Sequence, residues 1–266
     1  MSIHLPDPAA PGGTGAHAML SSLHVANGAR ALEHAPAHHV LRWTARTFPA
    51  DRFALVSAFG PGSSVIIHLM AEIGASLPVI FVDTLHHFPE TLQHVERVRA
   101  RYGLDLRVYR PALDLGEIEA RYGPRLWERD LELYQQVTKV EPFRRATAEL
   151  DGWITGRRRD QSGTRGELPV LQGGERICVN PLAAWTRQEV WDFIRLNDLP
   201  YNPLHDQGYA SIGDAPLTTP VRPGEHERAG RWRGAGRLEC GIHMAPHRDA
   251  HTSVAAAAVE AVAAGG

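Results

Sequence analysis

Two things are scarce in this 266-residue chain, and each scarcity removes a class of protein. There are only two cysteines, Cys178 and Cys240. They allow at most one disulfide and cannot supply the four thiolates of an ordinary iron–sulfur cluster or a cysteine-rich zinc site. Long apolar runs are missing as well. Nothing approaches the ~20 residues of a membrane span, and the N-terminus lacks a charged stretch followed by an apolar one. The expectation is a cytoplasmic protein with neither a membrane nor a nucleic acid as partner. With 43% hydrophobic and 22% charged residues and a formal net charge of −2, the composition is that of a soluble globular chain long enough to bury a large core. Fifteen histidines are present, but without HExxH or paired Cys/His spacing, so no metal is expected.

In chain order, residues 1–20, rich in Pro, Gly and Ala, read as a disordered arm. Periodicity predicts an amphipathic helix from Gly28 to Thr47, ended by Pro49. Phe53 to Ser57 is a short apolar strand, and Ala58-Phe59-Gly60-Pro61-Gly62-Ser63-Ser64 is a turn opening a helix near Val65. Pro78 to Asp83 is a continuous apolar strand of the kind buried on both faces of a parallel sheet. A helix from Pro89 to Arg101 and a strand from Asp105 to Tyr109 follow. Alternating strands and helices imply right-handed crossovers and a doubly wound, mostly parallel α/β sheet.

Ligands of such sheets sit at the carboxyl ends of the strands. Ser57 to Ser64 and Asp83-Thr84 should therefore line one crevice, the first loop offering N–H groups and hydroxyls to phosphate or sulfate at a helix N-terminus. A plain βα turn explains the loop equally well, since no GxGxxG or Walker pattern is present. Helices are expected over Glu117–Tyr122, Leu126–Tyr134 and Pro142–Leu150. A strand at Trp153–Gly156 then leads into Arg157-Arg158-Arg159, whose guanidinium forks would enter the same crevice and suit phosphate or sulfate. The strand Arg176–Asn180 turns Cys178 inward as an inert thiol. The helix Thr186–Leu196 opens on a capping box of Thr186 and Glu189.

The other thiol has a different setting. Cys240 lies in Arg237-Leu238-Glu239-Cys240-Gly241-Ile242-His243, preceded by Arg222, Arg228, Arg231, Arg233 and Arg237. Pro220 to Gly236 is basic and turn-forming with no apolar period, which favours a polar segment over a core. Nearby cations lower a thiol from its ordinary ~8.5 and raise the thiolate fraction, which suits attack on an anionic electrophile. His243 is a candidate partner.

From about residue 30 to 244 the chain resembles the sulfonucleotide reductases, the thioredoxin-dependent phosphoadenylyl-sulfate and adenylyl-sulfate reductases. The residues that carry the resemblance are Ser57-Ala58-Phe59-Gly60, Phe81-Val82-Asp83-Thr84 with Phe88-Pro89-Glu90-Thr91, and Lys139-Val140-Glu141-Pro142. They continue through Gly156-Arg157-Arg158-Arg159-Asp160-Gln161-Ser162, Tyr201-Asn202-Pro203-Leu204, Gly208-Tyr209-Ala210-Ser211-Ile212-Gly213-Asp214 and Glu239 to His243. The resemblance implies an adenine-nucleotide α-hydrolase-like, PP-loop-related fold over residues 28–213, a mobile catalytic segment over 214–248 and an Ala-rich tail over 249–266. It implies that Cys240 attacks the sulfur of the sulfonucleotide, and that reduced thioredoxin (or glutaredoxin) cleaves the S-sulfocysteine and releases sulfite. Ser57, Phe59, Gly60, Gly62, Ser63 and Ser64 would hold the phosphosulfate. Val82, Asp83 and Thr84 would hold the adenosine, with Arg158, Arg159, Arg228 and Arg231 neutralising charge.

Cluster-bearing relatives carry adjacent cysteines before the Lys-Val-Glu-Pro motif and a Cys-x-x-Cys later. Here those positions are Tyr134-Gln135 and Asp214-Ala215-Pro216-Leu217, so no cluster is expected, and the resemblance points to the 3′-phosphorylated nucleotide. The stretch Thr219 to Trp232, by contrast, is similar to the cluster-bearing group, which keeps unphosphorylated adenylyl sulfate open. A PP-loop ATP pyrophosphatase or adenylyltransferase would want a Ser-Gly-Gly-x-Asp-Ser loop and leaves Cys240 unexplained, as does a non-catalytic nucleotide binder. A homodimer is compatible with the sequence but not marked in it.

Overall fold

The apolar run Phe53–Val56 (β1) lies at the centre of a six-stranded sheet and is almost wholly buried, as both-face packing of a parallel sheet requires. The computed structural model describes residues 25, 27–174 and 176–232. The arm 1–20, Cys240, His243 and the tail 249–266 lie outside them. The remaining strands are β2 (Val79–Val82), β3 (Leu106–Tyr109), β4 (Gly152–Ile154), β5 (Leu171–Gln172) and β6 (Ile177–Val179), in spatial order β3-β2-β1-β4-β6-β5. All neighbours pair in parallel except β5, which runs antiparallel to β6. With β1 flanked by β2 and β4, chain order reverses across the centre, where a doubly wound sheet opens its ligand crevice. Gly152 is required by this pairing: a Cβ there would stand 2.2 Å from the Ile177 carbonyl oxygen. At the far edge, β3 shows solvent an Arg107–Asp105 ion pair of 2.9 Å.

The helices are α1 (Ala37–Thr47), α2 (Pro61–Glu72), α3 (Pro89–Tyr102), α4 (Leu115–Tyr122), α5 (Leu126–Arg129), α6 (Leu131–Gln135), α7 (Glu141–Ala146) and α8 (Arg187–Leu196). Between α6 and α7 the chain widens into a π-helical turn, Gln136–Val140. Proline stands in the first turn of α2 and α3, where a missing N–H costs nothing, and Gly103 ends α3 in the left-handed region at φ 59°. The capping box of Thr186 and Glu189 on α8 is present as expected. The main core joins β1, β2, β4 and β6 to α1, α2, α3 and α8 through Phe53, Leu55, Val65, Ile66, Phe81, Val98, Ile154 and Ile194.

Four expected helices differ, and the one predicted over Pro142–Leu150 runs only from Glu141 to Ala146 before a turn. The helix predicted over 28–47 is broken by a turn in which Ala35 N–H donates to Leu32 O, and Pro36 starts α1 afresh; its ring excludes the preceding residue from helical geometry although the apolar pattern runs on. The helix predicted over Leu126–Tyr134 breaks at Asp130 (φ −147°, ψ 87°), whose carboxylate accepts from Leu133 N–H at 2.9 Å and so caps α6. The helix expected from Val65 already begins at Pro61. The two-residue edge strand β5 is too short to leave a periodic signal.

Candidate active site at the carboxyl ends of the strands

The loop after β1 is held by its own first residue: Phe59 N–H donates to Ser57 Oγ at 2.8 Å. Phe59 sits at φ 54° and is buried edge-on against Phe81, 5.6 Å between ring centroids. A left-handed phenylalanine on one side of the crevice and Leu85 at φ 66° on the other are conformations that only strong surrounding packing maintains, and such residues gather at functional sites. Gly62 lies against the β4 end; a Cβ there would be 3.0 Å from Gly156 O. The anion cradle is narrower than the sequence implies. Ser63 and Ser64 N–H both donate to Gly60 O, and the Ser64 hydroxyl is turned away to Pro200 O at 2.9 Å.

At the end of β2, Val82 and Asp83 are nearly buried and Thr84 completely so. Asp83 accepts from Leu85 N–H at 3.0 Å and from Arg110 Nε at 2.9 Å. Thr84 Oγ1 donates to Asp214 Oδ1 at 2.7 Å, and Tyr134 OH donates to Asp214 Oδ2 at 3.1 Å. Lys139 Nζ lies 3.6 Å from the same oxygen. Burial alone would raise the Asp214 carboxyl, but Lys139, His87, the Thr84 hydrogen bond and Arg231 outweigh it and hold the group well below the usual carboxylate range. Tyr134 is pushed far up, first by burial and then by Asp214, and stays a donor. Burial lowers His87, whose Nε2 meets Val82 O at 3.2 Å.

The chain from Leu217 to Trp232 folds back on itself through the Thr218–Arg231 bridge and the Trp232 N–H to Leu217 O bond. Arg231 is thereby brought beside Asp214, with its guanidinium 4.5 Å from the Trp232 ring centroid and one N–H on Ile212 O. Arg228 also stacks on Trp232, at 5.4 Å.

The arginine run does not converge on the crevice as expected. Arg157 turns to Thr155, Asn180, Gln172 and the Cys178 sulfur at the β6 end. Arg158 is buried between Asp160 (2.9 Å) and Glu227 (3.1 Å). Arg159 pairs with Glu33 and Leu168 O. Consecutive residues leaving a strand end into a tight 3-10 turn point in different directions, and carboxylates have claimed the last two charges, Arg158 and Arg159. Cys178 is buried as expected, and burial pushes its thiol up against the opposing pull of Arg157. An open groove of about 770 Å³ beside α8, lined by residues including Arg187, Trp191, His205, Tyr209 and Arg222, is separate from this crevice.

Among the described residues no group of three or more His, Cys, Asp or Glu stands ready to hold a metal. The positions where cluster-bearing relatives place cysteines hold Tyr134, Gln135, Asp214 and Leu217, hydrogen-bonding and apolar groups that cannot ligate iron as thiolates do, so the residues do not fit an iron–sulfur cluster. No helix among the described residues is long and apolar enough to cross a membrane.

A mostly parallel sheet with its crevice at a strand-order reversal is a doubly wound α/β fold of the PP-loop-like kind. The FMN adenylyltransferase of Candida glabrata has a similar fold (TM-score 0.50, 16% identity, 90% of this chain and 82% of that one). Residues 52–220 match the family described as "Phosphoadenosine phosphosulfate reductase domain", and the chain belongs to that family. It is 43% identical over 225 residues to the phosphoadenosine phosphosulfate reductase of Emericella nidulans, covering 80% of this chain and 73% of that protein. It is 40% identical to the adenosine 5′-phosphosulfate reductase of Halalkalibacterium halodurans, covering 81% and 94%. The structure of phosphoadenylyl-sulfate reductase from Candida auris, a phosphate complex, superposes with a TM-score of 0.68 at 37% identity over 75% of this chain and 98% of that one.

Proposed function

We propose that the protein reduces 3′-phosphoadenylyl sulfate to sulfite and adenosine 3′,5′-bisphosphate for sulfate assimilation. The Cys240 thiolate attacks the sulfur, the sulfur–oxygen bond to the nucleotide breaks, and the nucleotide phosphate leaves with the electron pair. A thioredoxin (or glutaredoxin) thiolate then attacks Cys240 Sγ of the S-sulfocysteine and expels sulfite. The second thioredoxin thiol resolves the mixed disulfide, restoring Cys240 and leaving thioredoxin oxidised by two electrons. This chemistry needs a reducing compartment, which fits the cytoplasm.

The observation that carries the reading is the return of residues 217–232 to the crevice, which sets Arg231 beside Asp214 and Thr84 nine positions before Cys240. The loop Ser57–Ser63 stands at the carboxyl end of β1, and the Lys139 and Arg231 charges beside Asp214 suit a phosphosulfate. His243 and the cations before Cys240 favour its thiolate. A second reading, adenylyl sulfate as substrate, is favoured by the similarity to the Halalkalibacterium reductase.

The test is intact-protein mass after mixing the reduced full chain with each nucleotide in the absence of thioredoxin. The expected result is an added SO₃ on Cys240, formed faster from the 3′-phosphorylated nucleotide and removed by reduced thioredoxin. Cys240→Ser should form no adduct and release no sulfite while still binding nucleotide; turnover by that variant would end the mechanism.

A further inference from the structure

Of the 28 lysine and arginine residues in the chain, a single one is lysine, and it is Lys139. Among the described residues arginine supplies the cation of every other ion pair except His68–Glu72. Lys139 lies in the π-helical turn Gln136–Val140, where the ammonium is 13% exposed and 3.6 Å from the buried Asp214 carboxylate. A compact ammonium fits where a planar guanidinium with five fixed donors does not. Single π-turns inside helices recur at functional sites, and here Thr138 Oγ1 fastens the turn to Tyr134 O at 2.7 Å.

Asp214 is fixed from three directions. Its backbone pairs with His87 and the next residue, Ala215, donates to His86 O at 2.7 Å. Thr84, from the end of β2, saturates one carboxylate oxygen, and Tyr134, from the end of α6, binds the other. This buried acid therefore ties β2, the π-turn and the start of the returning segment to one point, and the cations around it, Lys139 and Arg231, outnumber it.

We propose that Asp214 is a positioning residue: with Tyr134 and Thr84 it holds the Lys139 ammonium in one place at the carboxyl end of β2, so that a fixed positive charge faces the substrate's anionic group. The activity consequence rests on the sulfonucleotide reading above; the placement of the ammonium does not.

Two measurements on the full-length protein separate these. In the first, the sole lysine is followed by reductive methylation with formaldehyde and read by peptide mass, the N-terminal amine serving as internal standard. Lys139 in the wild-type protein should react about tenfold more slowly than that standard, and Asp214→Asn, which keeps the side chain's shape, should bring it to within about threefold. In the second, steady-state reduction of each sulfonucleotide is measured. Asp214→Asn should lose on the order of a hundredfold in kcat with KM changed far less, as expected for a charge displaced by about an ångström. Tyr134→Phe, which leaves the ion pair and the Thr84 bond in place, should show the same pattern more weakly in both measurements, so a folding defect confined to one variant does not decide the result. Unchanged Lys139 reactivity in both variants overturns the positioning role. Raised reactivity with unchanged kcat shows that the ammonium is positioned but that turnover does not need it, which also overturns the proposal. A wild-type protein that turns over neither nucleotide overturns the functional reading, while the methylation result still decides the placement.

Discussion

At the end of β2 the buried carboxylate of Asp214 stands among Lys139, Arg231 and two hydroxyl donors, while the neighbouring buried Asp83 is matched by Arg110. At the end of β4 three consecutive arginines leave the sheet, and Arg158 and Arg159 are answered by Asp160, Glu227 and Glu33. The first arrangement keeps more positive than negative charge next to the crevice; the second is neutralised within the protein. A run of like charges is conspicuous in a sequence, but what it offers an anion depends on the acids that the fold sets against it. The β4 end is thus mainly architecture, joining the strand-end loop to the returning segment through Glu227 and to the turn before α1 through Glu33. The β2 end is the better candidate for chemistry.

If the arginine loop is architecture, breaking it should cost stability. Arg158→Ala removes the partner of two acids around a side chain only 4% exposed, and should lower the unfolding free energy by about 3 kcal/mol, read as a shift of the urea midpoint at unchanged slope. A loss below about 1 kcal/mol would mean that the pair is not held as described. The next effect is in pH. Arginines do not titrate, whereas the β1 loop rests on His94, which burial lowers to about 4, and the neighbouring His205 is likewise lowered by burial to about 4. Between pH ~4 and ~6.5 the unfolded chain binds protons that the folded chain refuses, so stability should fall by up to about 3 kcal/mol for each histidine as pH drops through that window. Asp214 acts in the same direction further down, its depressed carboxyl stabilising the fold above pH ~4 and ceasing to do so below. Urea midpoints at pH 7, 5.5 and 4.5 test this, and His205→Gln should flatten the profile. The smallest effect is Arg159→Ala, whose pair with Glu33 is 30% exposed on each side: under about 1 kcal/mol, with kcat and KM for sulfonucleotide unchanged. A large rise in KM would return this arginine to the crevice.

The sheet was legible in the sequence because β1 and β2 are unbroken apolar runs and α8 opens on a local capping signal. The position of 57–64 and 83–84 at the ends of β1 and β2 followed from the rule that places ligands at carboxyl strand ends, whereas Val82 entered through the resemblance alone. The network beneath was not legible. Thr84 and Asp214 are 130 positions apart and Tyr134 and Asp214 are 80 apart, and nothing in the local pattern of either says they meet. Tyr134, Lys139 and Asp214 each stood inside a recognisable stretch, but their joint role is a property of three elements closing on one point. The arginine run misled for the converse reason: its composition is local, while the acids that claim it lie 2, 69 and 126 positions away.

The outer strand β3 has a consequence for how copies of this chain can meet. A bare strand edge invites a second sheet to add to it, and this edge is guarded by the solvent-exposed Arg107–Asp105 pair, whose charges would have to shed water before another backbone could dock. The opposite edge ends in a two-residue antiparallel strand, too short to template an extension. Among the described residues, neither edge of the sheet therefore offers a second sheet an unguarded backbone to extend.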